Sequence, residues 1–323
     1  MLNHKDKLID IFQKIQQAGN ILMVGHKAPD EDCLGAICAL SCYFDSIGKN
    51  HTIFNFDKIF ENFNYLSGID KITNDINEIQ TKVFDLILVL DTGSLEYSGI
   101  KDYLEKAQKE VFIINIDHHK SNSNFGHINL VESNASSVSE IIYNLFQYNK
   151  VYITKEMANC LLTGIIADSD NFSNAATTVE SMNAASYLLT HGGRLPKIVK
   201  NTYKNKSLTS LKLWGIVLSR LKQNKKYNVA YTYVTHDDLQ KYNVAKETIE
   251  GIANFLNKLA GHKVIFFIKE KDPGEITVSM RTNNNLIDVS KLAKMIGGGG
   301  HRKAAGFSVK GKIVGNGGKV MIV

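Results

Sequence analysis

The sequence predicts an α/β protein: a doubly wound, mainly parallel sheet followed by a smaller α/β domain with a mixed or antiparallel sheet. Apolar, β-branched runs alternate with helical patterns from Ile21 to Tyr148, the order expected of parallel strands with right-handed crossovers. Three of these runs end in chemistry: Ile21–Gly25 leads into His26, Phe84–Leu90 into Asp91, and Val111–Ile116 into Asp117-His118-His119. Strands buried on both faces read as such runs, and ligands of open α/β sheets sit at strand carboxyl ends. Beyond about residue 225 the pattern changes: strands Val264–Lys269 and Glu275–Arg281 flank the turn signal Asp272-Pro273-Gly274, which reads as a hairpin.

The elements follow in order. Apolar residues at Leu8, Ile9, Phe12 and Ile15 give Lys5–Ala18 the spacing of an amphipathic helix, stopped by Gly19. After strand Ile21–Gly25 comes a helix over Asp32–Ile47, closed by Gly48. A strand is expected at Thr52–Phe56, a short helix at Ile59–Leu66, and a mostly helical stretch at Glu96–Lys109. Helices are expected over Ser137–Tyr148, from Thr154 to Asp168, and over Glu180–Thr190. Two more, Leu195–Tyr203 and Leu208–Leu221, read as a bridge. The expected organisation is a catalytic domain over residues 1–190, a helical linker over 191–225 and a second domain over 226–323. In that second domain, strand Asn228–Thr235 and helix Ala245–Lys258 precede the hairpin, and helix Asp288–Met295 follows it.

At 323 residues, with 44% hydrophobic and 22% charged residues, the chain has enough material for two cores. The net charge of +6 favours anionic partners without requiring long nucleic acid. An apolar run such as Leu86–Leu90 falls far short of the roughly 18 residues that span a bilayer. Asp6 and Asp10 lie where a signal peptide would have its apolar core, so a cytoplasmic protein with no membrane partner is expected. Cys33, Cys38, Cys42 and Cys160 lack CxxC spacing and read as reduced, buried thiols.

The acidic positions exceed what local structure requires. One Asp at a helix start is explained by capping, but Asp30 and Asp32 come together, with His26 four residues before the first. Asp168, near a helix C-terminus, opposes the helix dipole, and a nearby cation would explain it. Histidine and carboxylate donors favour Mn²⁺, with Mg²⁺ or Co²⁺ as alternatives, over a closed zinc site. Several Asp around a few His can hold two ions, and a pair about 4 Å apart suits phosphoester hydrolysis. The Gly297–Gly300 run allows close backbone approach to a phosphate, and His301, Arg302 and Lys303 follow it with cationic donors. Arg281 offers a bidentate fork.

In order along the chain, His26-Lys-Ala-Pro-Asp30-Glu-Asp32, Asp91-Thr-Gly93, Asp117-His118-His119 and Asp168 resemble the four motifs of the DHH phosphoesterases. Gly297-Gly-Gly-Gly-His-Arg-Lys-Ala-Ala-Gly306 resembles the signature of their associated C-terminal domain. The size is similar to the short soluble branch of nanoRNases, pAp phosphatases and phosphodiesterases acting on pApA or cyclic di-AMP, rather than the longer RecJ exonucleases.

The resemblance implies two Mn²⁺ per chain. His26, Asp30 and Asp91 would hold one, and Asp32, Asp91, His118 and Asp168 the other, with Asp91 as the bridge. It also implies that His119 faces the substrate phosphate, that Asp117 orients an imidazole, and that Arg281, Gly298, Gly299, Gly300, His301 and Arg302 grip the substrate. The implied substrates are short nucleotides: pApA, pAp, RNA of two to five nucleotides, and cyclic di-AMP as runner-up. A homodimer is left open.

The chain departs from the family pattern at Glu31, Ala36 and Ala167-Asp168-Ser169-Asp170. These changes leave each implied ligand in place and bear on substrate choice. His127 stands where relatives often carry Asp and reads as a surface residue. Two rivals are a manganese pyrophosphatase or polyphosphatase, and a non-catalytic nucleotide sensor, which would need a lost ligand where none is missing.

Overall fold

In the computed structural model of the chain, the residues described are 4–202, 207–242, 249, 252–257, 261–284, 286–300, 302–316 and 319–322. The chain folds as two compact units, Met1–Asn205 and Lys206–Val323.

The first unit is a six-stranded parallel sheet with helices on both faces. Its strands are β1 (Asn20–Val24), β2 (Asn50–Phe54), β3 (Ile72–Thr73), β4 (Leu86–Leu90), β5 (Phe112–Asp117) and β6 (Ile128–Val131), in the order β3-β2-β1-β4-β5-β6. Its helices are α1 (His4–Gln17), α2 (Glu31–Ser46), α3 (Ile76–Gln80), α4 (Leu95–Ser98), α5 (Lys101–Ala107), α6 (Val138–Tyr148), α7 (Lys155–Asp168), α8 (Val179–Thr190) and α9 (Leu195–Thr202).

Side chains alternate along the strands, so the two faces are sorted residue by residue. Ile21, Met23, Leu86, Leu88, Ile114 and Ile116 pack with α1, α2, α6, α7 and α8. Leu22, Val24, Ile87, Val89 and Ile113 pack with Ile79 of α3 and Leu104 of α5. The strand order reverses between β1 and β4, which makes their carboxyl ends the switch point of the sheet.

Register then fixes the site. Val24 pairs with Val89, and Val89 with Asn115. Two residues beyond each member of that row stand His26, Asp91 and Asp117. Parallel pairing therefore brings three separate sequence motifs to one edge of the sheet.

The second unit holds α10 (Leu208–Ser219), β7 (Lys222–Asn224), β8 (Val229–Val234), α11 (His236–Tyr242), α12 (Ile252–Leu256), β9 (Val264–Asp272), β10 (Glu275–Arg281), α13 (Val289–Met295), β11 (Gly299–Gly300) and β12 (Ala304–Lys310). A hairpin, β13 (Ile313–Asn316) with β14 (Lys319–Ile322), closes the chain. The sheet is mixed, in the order β11-β12-β10-β9-β8-β7; β8 and β9 are parallel and the other pairs antiparallel. One face packs on α10, α11 and α12 through Leu213, Val217, Leu239 and Ile252. The other packs on α13 through Val278, Met280, Val289 and Ala293.

Several local expectations are corrected. Ile59–Leu66 contains only a 3₁₀ turn at Glu61–Phe63, because Phe63 and Leu66 reach the core from an irregular loop without a helical repeat. The stretch Glu96–Lys109 breaks into α4 and α5 at Gly99, whose φ of +81° ends the first helix in a left-handed cap. Strands β3, β6 and β7 and helices α3 and α11 come without a strong period in the sequence. Of the helix expected at Ala245–Lys258, the described part Ile252–Leu256 is helical; residues 245–248, 250, 251 and 258 lie outside the described residues, as does Tyr203. No helix among the described residues is long and apolar enough to cross a membrane.

Candidate metal centre

Each end of the cluster is set by its element. Asp30 is the N-cap of α2, and its Oδ1 accepts the amides of Asp32 and Cys33 at 3.1 Å each. That cap turns the first helical residues so that Asp32 faces inward. Asp32 is fully buried, and its two oxygens accept the amides of Val138 and Ser139 at 2.6 and 2.9 Å. Those amides open α6, where orphan N–H groups and the helix dipole welcome negative charge. Two glycines let the helices approach this closely. A Cβ at Gly35 would lie 2.6 Å from the Cys160 carbonyl, and one at Gly164 would overlap Ser139 Oγ and Asp32 Oδ1.

Asp91 occupies the centre. Its φ of +53° is in the left-handed region, a conformation that non-glycine residues adopt at a cost of order 1–3 kcal/mol and that clusters at functional sites. Its Oδ2 lies 3.4 Å from His26 Nε2, and its Oδ1 lies 3.8 Å from His118 Nε2 and 3.4 Å from His119 Nδ1. His26 Nε2 also lies 3.7 Å from Asp30 Oδ1, and His118 Nε2 lies 3.3 Å from Asp168 Oδ2. Among the described residues three donor sets are compact enough for a cation: Asp32 with His118 and Asp168; Asp91 with His118 and His119; and His26 with Cys33 and Asp91. Asp117 stands behind them, fully buried, with Oδ1 accepting His119 Nδ1 at 2.6 Å and the His118 amide at 2.8 Å.

Electrostatics register the crowding. Burial, then the charge of Asp91, pushes Asp32 up to about 7. Burial and the carboxylates of Asp32, Asp30 and Asp91 raise Asp168 well above the carboxylate range. Burial works against ionised Asp30 too, yet hydrogen bonding to His26 and to the amides holds it at about 2. Burial disfavours charge on His119, but its bond to Asp117 and the charge of Asp91 outweigh this and raise it. A site with this balance is short of positive charge.

The donors suit a divalent cation. Asp91 Oδ1 is buried with no hydrogen-bond partner among the described residues, an orphaned acceptor of the kind that cation coordination explains. The anionic and imidazole donors are those of harder first-row or alkaline-earth ions.

The structure brings His26, Asp30, Asp32, Asp91, Asp117, His118, His119 and Asp168 together. The substrate candidates lie in the second unit. Arg281 ends β10, opposite Ala304 of β12, while Gly299 and Gly300 pair with Gly306 and Ala305. Arg302 lies at a bend just before β12. Gly298 packs so closely that a Cβ there would lie 2.6 Å from Phe307 Cβ, so backbone packing accounts for part of the glycine run. His301 lies outside the described residues.

Sequence reasoning missed Cys33, Asn115, Tyr97 and Asn122. Cys33 faces His26 from the first turn of α2, where burial pushes its thiol up. Tyr97 stacks on His26 with ring centres 5.2 Å apart. The available signal for Asn115 was an amide inside the buried run Phe112–Asp117. His127 is exposed as expected, and its Nδ1 accepts the Ile113 amide at 2.9 Å.

Comparison with known proteins adds an independent line. The N-terminal domain of the DHH family matches residues 20–165, and the DHHA1 domain matches residues 215–316. The chain is 25% identical over 304 residues to the bifunctional oligoribonuclease and PAP phosphatase NrnA of Bacillus subtilis, covering 93% of this chain and 92% of that protein. The Thermus thermophilus protein of the same description is 30% identical over 202 residues, 62% of this chain and 60% of its own. An exopolyphosphatase-related protein from Bacteroides fragilis superposes with a TM-score of 0.87 at 26% identity, covering 94% of this chain and 91% of that one.

Proposed function

The chain belongs to the DHH family, an N-terminal DHH domain followed by a DHHA1 domain, and from that premise we propose that it hydrolyses phosphoester bonds in short nucleotides. The substrates are linear di- and oligoribonucleotides of two to five residues such as pApA, cleaved to mononucleotides, with removal of the 3′-phosphate from pAp as a second activity. The similarity to oligoribonuclease and PAP phosphatase proteins over nearly the whole chain supports that substrate class. The observation that carries the chemistry is Asp91, buried between His26, His118 and His119 with one oxygen unsatisfied among the described residues.

In this reading His26, Asp30 and Asp91 hold one Mn²⁺, and Asp32, Asp91, His118 and Asp168 hold a second. Mg²⁺ or Co²⁺ could take their place. Bound ions of this kind neutralise phosphate charge and lower the pKa of water. Asp117 accepts from His119 Nδ1 and, with the charge of Asp91, outweighs burial and favours the imidazolium, so the ring's other nitrogen also carries a proton, which it can donate to the leaving oxygen of the phosphoester. Asp32 stays in place on the amides of α6 whatever its charge. Arg281, Arg302, His301 and the backbone of Gly298–Gly300 take the substrate's remaining phosphate through charge-assisted bonds. Long RNA is a poor substrate, because no extended basic track with interleaved aromatics runs through the sequence.

The test is kcat/KM in Mn²⁺ for pApA, pAp, cyclic di-AMP and an RNA of about 24 nucleotides. pApA should lead, with pAp second. A preference for the long RNA would refute the short-substrate reading, and a preference for the cyclic compound would assign the chain to second-messenger turnover.

A further inference from the structure

Asn122 lies just past the His118–His119 pair, and nothing above gives it a role. Its Nδ2 donates to Asp117 Oδ2 at 2.5 Å and to Asn115 Oδ1 at 2.7 Å, and its Oδ1 accepts the Asn124 amide at 2.7 Å. Asn115, fully buried on β5, donates its own Nδ2 to the carbonyls of Val89 and Thr92 at 3.1 Å each. An amide side chain has two N–H donors and one carbonyl, and in both asparagines all three are engaged. Flipping the Asn122 amide would set its oxygen against two other oxygens, so the network fixes its orientation.

The consequence falls on Asp117. Its Oδ2 is held by Asn122, and its Oδ1 by the His118 amide and His119 Nδ1. Without Asn122 only one oxygen is anchored among the described residues, and the carboxylate can swing and take the His119 ring with it. The loop backbone has separate ties: the Asn122 amide donates to the His119 carbonyl at 3.0 Å, and the Ser123 amide to the Gly93 carbonyl at 2.9 Å. Loss of the side chain therefore leaves the loop held.

We propose that Asn122 is a positioning residue for phosphoester hydrolysis, locking Asp117 so that the His119 imidazole is presented in one orientation. This deepens the hydrolase reading and rests on it. Partners behind a reactive imidazole are worth about 10–100-fold when removed. Asn122→Ala should lower kcat on pApA by about that factor, leaving KM and Mn²⁺ affinity within about threefold of the parent. Asn122→Asp, the same size without the donor, should lose at least as much.

A second readout is independent of substrate. In ¹H–¹⁵N spectra of the metal-free protein, the His119 Nδ1–H proton should be protected from exchange in the parent and lost in both variants. Unchanged kcat in both, a loss confined to KM or metal affinity, or a His119 resonance that persists in the variants would each overturn the assignment. If the parent cleaves none of the nucleotides, the hydrolase reading fails, and the spectra still decide whether Asn122 holds the imidazole.

Discussion

Asp91 concentrates the physics of the site in one residue. It combines a left-handed backbone, near-complete burial and an oxygen without a hydrogen-bond partner among the described residues, and it contributes to the upward push on Asp32 and Asp168. Asn tolerates the left-handed region, so Asp91→Asn tests the charge without disturbing the turn. Turnover should fall below about a tenth of the parent, since several kcal/mol of transition-state stabilisation are at stake. Melting temperature in chelator should hold or rise, because one repelling carboxylate is gone. Steady-state kinetics and a thermal melt on one preparation check both halves.

The raised carboxylates carry a pH signature with a definite sign. Asp32 goes from about 3.8 unfolded to about 7 folded in the metal-free protein, so across that window the native state holds a proton that the unfolded chain has released. Stability must therefore fall as pH rises from about 4 to 7. Asp168 and His119 are both raised and add to the same slope. Asp30, held at about 2, acts only in acid, where its contribution is lost as pH drops. Melts in chelator should decline from pH 5 to pH 7.5, and saturating Mn²⁺ should flatten the slope. A metal-free melt that rises over this range would contradict the crowding of Asp32 and Asp168.

At the scale of elements, the close approach of α2 to α7 at Gly35 and Gly164 sets where Asp32 and Asp168 stand. Gly164 lies where a methyl group would overlap Asp32 Oδ1 and Ser139 Oγ. Gly164→Ala should cost about 1–3 kcal/mol from overpacking, roughly 2–4 °C of melting temperature per kcal/mol for a unit of this size. It should also weaken metal binding, since Asp32 must yield; a calorimetric Mn²⁺ titration reads this directly. The strands that lead into His26, Asp91 and Asp117 were legible because each carries a long apolar run into a polar residue. Their grouping was legible too, because parallel strands of similar length end at one edge. The contact of α2 with α7 was not: Gly35 and Gly164 are more than a hundred residues apart, and only tertiary packing shows that both face the same helix pair. Asn115 was passed over because its neighbours on β5 are apolar, and burial hides that one of the strand's alternate positions carries an amide. The break between α4 and α5 follows from Gly99, which can cap a helix or sit inside one, and periodicity does not separate the two cases.

For the molecule as a whole, the change of pattern after residue 225 announced a second fold, and the mixed sheet of the second unit agrees. Less legible was how the bridging helices divide: Ile198 of α9 packs in the first unit's core, while Leu213 and Val217 of α10 pack in the second's. α9 is amphipathic whereas α10 carries apolar residues around most of its circumference, and neither pattern says which sheet the helix covers. The division has a thermodynamic consequence. Each unit has its own apolar clusters, and every proposed metal ligand lies between His26 and Asp168, inside the first. A ligand that binds only the native state stabilises by RT ln(1 + [L]/Kd), about 2.7 kcal/mol at a hundredfold excess over Kd. Mn²⁺ should therefore raise the melting of the first unit by several degrees and leave the second's own transition unshifted. Differential scanning calorimetry of the full chain, with and without Mn²⁺, separates the two, and Asp91→Asn should remove most of the metal-dependent shift. Equal stabilisation of both transitions, or a shift that survives Asp91→Asn in full, would place the ions elsewhere than at the carboxyl ends of β1, β4 and β5.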